Sequence, residues 1–372
     1  MRKFQYATSE SNADLLYSTG FRAPDDFGYL GEPGRGTFLL NDLEIDRARA
    51  TCAWAEVVAY SGVAAKVRGK RRRVPPPARV IAAFLRAHKA RHVLVPANFP
   101  LGLAKGLKKE GIRVRPAKGT YWPGRAFKSD EEIRLMLRAT RIAESGMKRA
   151  MEILRAAKPR RTGTLAWSGK TLTSEILRAE IEMAVVRAGG EARGDTIVAC
   201  GEQACDPHER GSGALRANEL IILDIFPRDA RSGFYGDITR TVVKGRASDA
   251  AREIWTLCLE AQKMALAAVR SGADGNALQT DVKTFFHNAG YPAEIHDGRW
   301  RGFFHGLGHG LGLEVHEEPR LSATVLQPRQ VFTIEPGLYW PGVGGVRHED
   351  VVVVTEDGSR QLTRAPKPME IP

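Results

Sequence analysis

Residues 303–316, FFHGLGHGLGLEVH, are closed to a helix. Glycine occupies positions 306, 308, 310 and 312, and each would cost roughly 1 kcal/mol relative to alanine inside one. An extended chain fits better. Side chains then alternate between faces, so the glycines leave one face bare while His305, Leu307, His309 and Leu311 share the other. At about 3.3 Å per residue, His305 and His309 would stand roughly 13 Å apart, too far for one metal ion to hold both. The expectation is that one histidine ligates a metal and the other does a different job nearby. The remaining ligands must come from elsewhere in the chain.

Acidic residues at strand ends are the candidates. Leu220–Ile225 (LIILDI) carries Asp224 inside an otherwise apolar strand. A lone buried carboxylate there costs several kcal/mol, so it must be paired or metal-bound. Asp237 heads the segment DITRT, Glu335 ends the apolar run FTI before Pro336-Gly337, and Glu349 precedes Val351–Val354. Four carboxylates and one imidazole suit a hard or borderline divalent ion such as Mn²⁺, Co²⁺ or Zn²⁺. Four carboxylates exceed what one ion needs, which favours two ions about 3.5–4 Å apart.

The chain has 372 residues and a net charge of +13, length enough for two domains. All of that excess sits in residues 1–126, which hold 23 Lys+Arg against 10 Asp+Glu; residues 127–372 hold 33 of each. The peak is Lys66–Arg73 (KVRGKRRR). No aromatic side chains are interleaved with it, as a single-strand nucleic-acid binder would want, so a solvated basic face is the preferred reading and nucleic acid is not the expected partner. No run reaches the 18 or more apolar residues of a membrane span. The N-terminus lacks a signal-peptide core, and Cys52, Cys200, Cys205 and Cys258 show no paired spacing; a reducing cytoplasm is expected. Cys200, Cys205 and His208 lie close in sequence, but no fourth ligand is in range for a separate zinc site.

Pattern reading predicts an α/β unit over residues 1–126. Its strands are Asp14–Gly20, Gly36–Leu40, His92–Pro96 and Ile112–Arg115; its helices are Leu43–Val58, Ala78–Lys89 and Phe99–Glu110. After a break at Gly119–Lys128, Ser129 and Glu132 form a capping box opening a helix that runs to about Ala157. Helices at Thr173–Ala188, Ala247–Val269 and Asn276–Ala289 follow. Strands are expected at Thr196–Ala199, Leu220–Phe226, Asp237–Val243, Gln330–Glu335 and Glu349–Thr355. That rhythm is not βαβ and argues for an α+β domain over residues 127–372.

The segments LDI (223–225), YGDITRT (235–241), HGLGHGLGLEVH (305–316), TIEPGLY (333–339) and GVRHEDV (345–351) together resemble the creatinase/aminopeptidase family. These are the pita-bread metallopeptidases that include methionine aminopeptidase, prolidase and aminopeptidase P. The resemblance implies a C-terminal pita-bread catalytic domain preceded by a smaller creatinase-like α/β domain. It implies that Asp224 holds one ion, that Asp237 and Glu349 bridge two, and that His309 and Glu335 complete the second. Glu335 would also handle the proton of the nucleophilic water, and His305 and His316 would contact substrate and developing oxyanion. His208 resembles a further active-site histidine. Arg347 resembles the arginine of Xaa-Pro-cleaving members and, two residues before Glu349, would orient that carboxylate.

By this resemblance the expected activity is hydrolysis of Xaa-Pro peptide bonds by a metal-bridging hydroxide, as a dipeptidase or an aminopeptidase. Two divalent ions (manganese first, cobalt or zinc next) and a homodimer go with it. The complete ligand set separates the chain from creatinase, and the N-terminal unit separates it from methionine aminopeptidases. The chain departs from the family in three places. The Asp224 to Asp237 interval is two residues longer than usual, Phe226 replaces a common glycine, and His348 stands where an aliphatic residue is more common. The alternative is a pita-bread binding protein that contacts nucleic acid or a protein partner through its basic N-terminal domain.

Overall fold

The structure, a computed structural model, describes residues 1–70 and 73–372. Arg71 and Arg72, in the centre of the basic run, lie outside the described residues. The chain divides into two compact units, Met1–Arg125 and Ala126–Pro372.

The first unit is a six-stranded mixed sheet in the order Glu56–Ala59, Arg35–Leu40, Phe27–Glu32, Arg2–Ala7, His92–Val95, Arg113–Pro116. Phe27–Glu32 runs antiparallel to both neighbours, and the other pairings are parallel. Phe4, Leu30, Leu39 and Val93 pack with Ile81, Phe84 and Leu85 of helix Pro77–Ala87. Phe27, Tyr29 and Phe38 pack with Leu15 and Phe21 in a second cluster.

Two expectations fail in this unit. Residues 14–20 form a helix, Ala13–Thr19, not a strand: Asn12 Oδ1 accepts from Leu15 N, and Gly20 closes it at φ 61°. Those are the ordinary start and stop signals of a helix. The expected helix Leu43–Val58 is only Ile45–Thr51. Its C-terminal part becomes the edge strand Glu56–Ala59, where Val57 and Val58 pair with Phe38 and Leu39.

The second unit has its helices and sheets in two groups. Helices Asp130–Ala156 and Ser174–Arg187 pack through Met147, Leu154, Leu177 and Ile181 onto Leu223, Ile225 and Ile238. These belong to a four-stranded sheet in the order Ile197–Cys200, Leu220–Ile225, Ile238–Lys244, Glu370–Ile371. The long helix starts as its capping box requires, with Ser129 Oγ accepting from Glu132 N and Glu132 from Ser129 N. Helices Asp249–Ala268 and Gly275–Asn288 pack through Ile254, Cys258, Val282 and Phe286 onto Phe332, Ile334 and Val352. Phe332 and Ile334 belong to Val331–Ile334, which pairs with Asp350–Val354. The hairpin Gly337–Trp340/Gly344–Arg347 lies in sequence between Val331–Ile334 and Asp350–Val354. The architecture is α+β, with the functional segments at strand ends.

Candidate metal centre

The glycine-histidine stretch runs extended but irregular. Leu311 N donates to Val331 O, Thr333 N to His309 O and Glu335 N to Leu307 O, at 3.2, 2.9 and 2.8 Å. It is an antiparallel partner of Val331–Ile334, which sets His309 beside Glu335. The glycines permit this approach. A Cβ on Gly308 would lie 1.9 Å from Thr333 O, and one on Gly312 would lie 2.3 Å from Glu317 Oε1.

Ligand atoms of Asp237, His309 and Glu349 all lie within 4.8 Å of one another. Glu335 Oε1 is 3.3 Å from His309 Nε2, and Asp237 Oδ2 is 3.8 Å from it. Asp224 pairs across the sheet with Ile197 on one side and Thr239 on the other. Asp224 Oδ1 is buried with no hydrogen-bond partner, while Oδ2 accepts from Arg347 Nη2 at 2.7 Å.

Electrostatics point the same way. Burial, then the charges of Glu349, Asp224 and Glu335, push Asp237 well above the usual carboxylate range. Glu349 is raised likewise by burial and by Glu335 and Asp224. Burial raises Glu335 to about 7 against the pull of Arg347. Burial lowers His309 to about 4, so its approach to Asp237 and Glu335 is not an ion pair at neutral pH; the ring is neutral and free to act as a ligand. A cluster of carboxylates held this close, one with an orphaned oxygen, fits one or two divalent cations.

Threonines fix the carboxylates. Thr239 Oγ1 donates to Glu349 Oε2 at 2.7 Å, and Thr333 Oγ1 to Glu335 Oε1 at 3.1 Å. Sequence reading assigned Arg347 to Glu349, but its guanidinium reaches Asp224 instead. The strand ends at Arg347 and the next begins at Asp350, so the two-residue alternation does not carry through to Glu349. Burial opposes the charge of Arg347, but Tyr339, Asp224 and Glu335 outweigh it and keep it protonated.

His305 stands apart from the ligand cluster. Its Nε2 is 2.9 Å from Tyr339 Oη, which also accepts from Arg347 Nη1 at 3.0 Å. Burial, then Arg347, lowers His305 to about 3. His316 meets His309 edge-to-face at 4.4 Å. His208, His305, His316, Arg347 and all five expected ligands line one cavity of about 570 Å³. Tyr339, Thr239 and Thr333 escaped sequence reading. The threonines had a usable signal, since each sits on a strand two residues from an expected ligand at its end. His348 is fully buried against Trp255 at 4.8 Å, behind the site. Cys200, Cys205 and Cys258 are free, and no cysteine joins a metal-ligand group among the described residues.

An α+β domain whose strand ends gather four carboxylates and a neutral imidazole on one cavity defines a metallohydrolase-type centre. The sequence profile of metallopeptidase family M24 matches residues 134–356. A Xaa-Pro dipeptidase of Pyrococcus horikoshii is 32% identical over 277 residues, 73% of this chain and 72% of that one. The solved X-Pro aminopeptidase from Thermotoga maritima MSB8 superposes with a TM-score of 0.81 at 25% identity, over 99% of this chain and 97% of that one. A prolidase from Pyrococcus furiosus gives 0.75 at 26%, over 98% and 97%. The chain belongs to metallopeptidase family M24 and has its pita-bread fold. No helix among the described residues is long and apolar enough to cross a membrane.

Proposed function

We propose that the protein hydrolyses the peptide bond preceding proline, with two divalent cations held by Asp224, Asp237, His309, Glu335 and Glu349. The observation that carries this reading is the buried carboxylate cluster with the unpartnered Asp224 Oδ1, set in the cavity lined by His208, His305 and His316. Similarity to a Xaa-Pro dipeptidase and to an X-Pro aminopeptidase supports the choice of substrate. Bound cations would supply an acidified water and a Lewis acid for the scissile carbonyl.

The chain's own residues do the rest. Glu335, held near neutrality by its surroundings, takes the proton that the attacking water gives up, at the carboxylate edge left free by Thr333, and returns it to the leaving nitrogen. His316 and His208 present imidazole nitrogens toward a developing oxyanion and the peptide backbone, while neutral His305, its Nδ1–H given to Gly306 O and its Nε2 against Tyr339 Oη, shapes the wall beside them. Arg347 and Tyr339 hold Asp224 and His305 in fixed positions. Manganese ahead of cobalt or zinc, and a homodimer, accompany the reading through the family resemblance.

The test is turnover of Xaa-Pro and Xaa-Pro-Yaa peptides by protein stripped of metal and then reloaded with Mn²⁺, Co²⁺ or Zn²⁺. Metal-dependent cleavage before proline is expected, and the two substrate lengths separate dipeptidase from aminopeptidase. No cleavage with any of the three ions removes the proposal.

A further inference from the structure

Between helix Gly275–Asn288 and the glycine-histidine stretch, the chain makes a hairpin, Glu294–His296 paired with Arg299–Arg301. Asp297 and Gly298 turn it at φ 49° and 75°, as a tight two-residue hairpin turn demands. Ile295 and Trp300 are directly opposite each other across the ladder. Both are exposed, at 62% and 51%. A two-stranded hairpin is marginal by itself, so its position depends on anchors.

The anchors are polar. Arg299 Nη1 is 2.5 Å from Glu202 Oε1, and Glu202 Oε2 also accepts from Gly342 N at 3.0 Å. Arg301 pairs with Glu294 and lies over the Trp340 ring at 4.3 Å. Glu202 belongs to the short helical turn Gly201–Cys205, which leads directly into the cavity residues Asp206, Pro207 and His208. The hairpin is therefore tied to the segment carrying His208.

An aromatic series leads from the hairpin to the site. Trp300 packs on Phe304 at 6.0 Å, and Phe304 on Tyr339 at 5.3 Å and near His305 at 6.4 Å. Phe304 lines the cavity. Both arginines of the second hairpin strand are taken up by carboxylates, which leaves the Trp300–Ile295 face apolar.

We infer that the hairpin is the outer wall of the substrate cavity, and that Trp300, backed by Ile295, receives an uncharged apolar side chain of the bound peptide. This rests on the peptidase reading above. Of this aromatic series Phe304 lines the cavity; Trp300 extends the same apolar surface outward, where a larger side chain gains contact that alanine cannot.

The test compares kcat/KM of the metal-loaded enzyme for Ala-Pro, Leu-Pro and Phe-Pro, and for Ala-Pro-Ala, Ala-Pro-Leu and Ala-Pro-Phe. The wild type is expected to prefer Leu or Phe over Ala at one of the two varied positions. Trp300→Ala should cut that preference about tenfold, mainly through KM, the scale of one lost apolar contact. Trp300→Phe should retain most of it, and Ile295→Ser should lose part. If Trp300→Ala folds poorly, the last two variants carry the comparison. An unchanged preference in Trp300→Ala, or in Ile295→Ser where the first is unusable, overturns the inference, as does a wild type indifferent to side-chain size at both positions. A wild type that cleaves no proline peptide under any metal removes the underlying reading and the inference with it.

Discussion

Arg347 Nη2 donates to Asp224 Oδ2 at 2.7 Å, leaving Asp224 Oδ1 buried and without a partner. One oxygen is thus aimed by an arginine and the other faces no protein donor. Arg347 also donates to Tyr339 Oη and lies 4.0 Å from Glu335 Oε2, so one side chain positions an acid, a phenol and part of the carboxylate cluster. Lysine cannot reproduce that fork.

Arg347→Lys should therefore lower metal affinity and kcat/KM by about 10- to 100-fold, the usual effect of removing a group that orients a ligand. Titration with Mn²⁺ and steady-state kinetics on Xaa-Pro peptides check both. Unchanged metal affinity would show that Asp224 needs no help from Arg347.

Asp237 contributes a buried carboxylate crowded by Glu349, Asp224 and Glu335. Asp237→Ala should abolish metal-dependent turnover and remove bound metal while leaving the fold intact. Without metal, the variant should melt higher than the wild type, because a repelling group has gone. A gain of about 1 kcal/mol would raise Tm by roughly 2–4 °C in a unit the size of Ala126–Pro372. Denaturation scans in a chelator measure the shift; a lower Tm would mean the carboxylate serves the fold itself.

Metal affinity should depend on pH with a defined sign. Glu335 sits at about 7 in the metal-free protein, so below that pH an incoming cation must displace its proton. Asp237 and Glu349, raised well above their ordinary values, add to the same competition. His309, lowered to about 4, is already neutral and adds nothing between pH 5 and pH 8. Affinity for Mn²⁺ should fall as pH drops through 7, by up to about tenfold per unit for each proton displaced. Calorimetry in buffers of different ionisation enthalpy should register proton release, and none would contradict the assignment.

Part of this centre was legible because two of its acids sit in or at the end of an apolar strand, where a charge needs a partner. Asp224 in LIILDI and Glu335 after FTI are visible for that reason alone. The long helix from Asp130 announced itself by its capping box. What sequence pattern hid was set by tertiary partners. Arg347 was expected to share a face with Glu349, but the backbone leaves the strand between them. Arg2–Ala7 and Phe27–Glu32 lie inside a sheet covered on both faces, where the two-residue alternation that betrays a strand is lost. The 294–301 hairpin did carry a signal, Asp297-Gly298 between short β-forming segments, which the glycine run beyond it overshadowed.

The loop bearing His316 depends on a buried ion pair. Lys128 Nζ is 2.6 Å from Glu317 Oε1, with the two side chains only 2% and 4% exposed. Glu317 Oε2 also accepts from Leu313 N and Glu314 N, which holds the chain before His316, and Gly312 has no room for a Cβ because this carboxylate fills the space. Lys128→Met takes the ammonium partner away from the buried Glu317 carboxylate and should cost about 1.5–3 kcal/mol of stability, the worth of a hydrogen bond to a charged group. Glu317→Gln keeps the amide acceptor and removes the charge, so the double variant should recover a large part of that loss. The non-additivity of the two single changes, read from urea unfolding, measures the coupling. Purely additive losses would mean that Lys128 and Glu317 support the loop independently of each other.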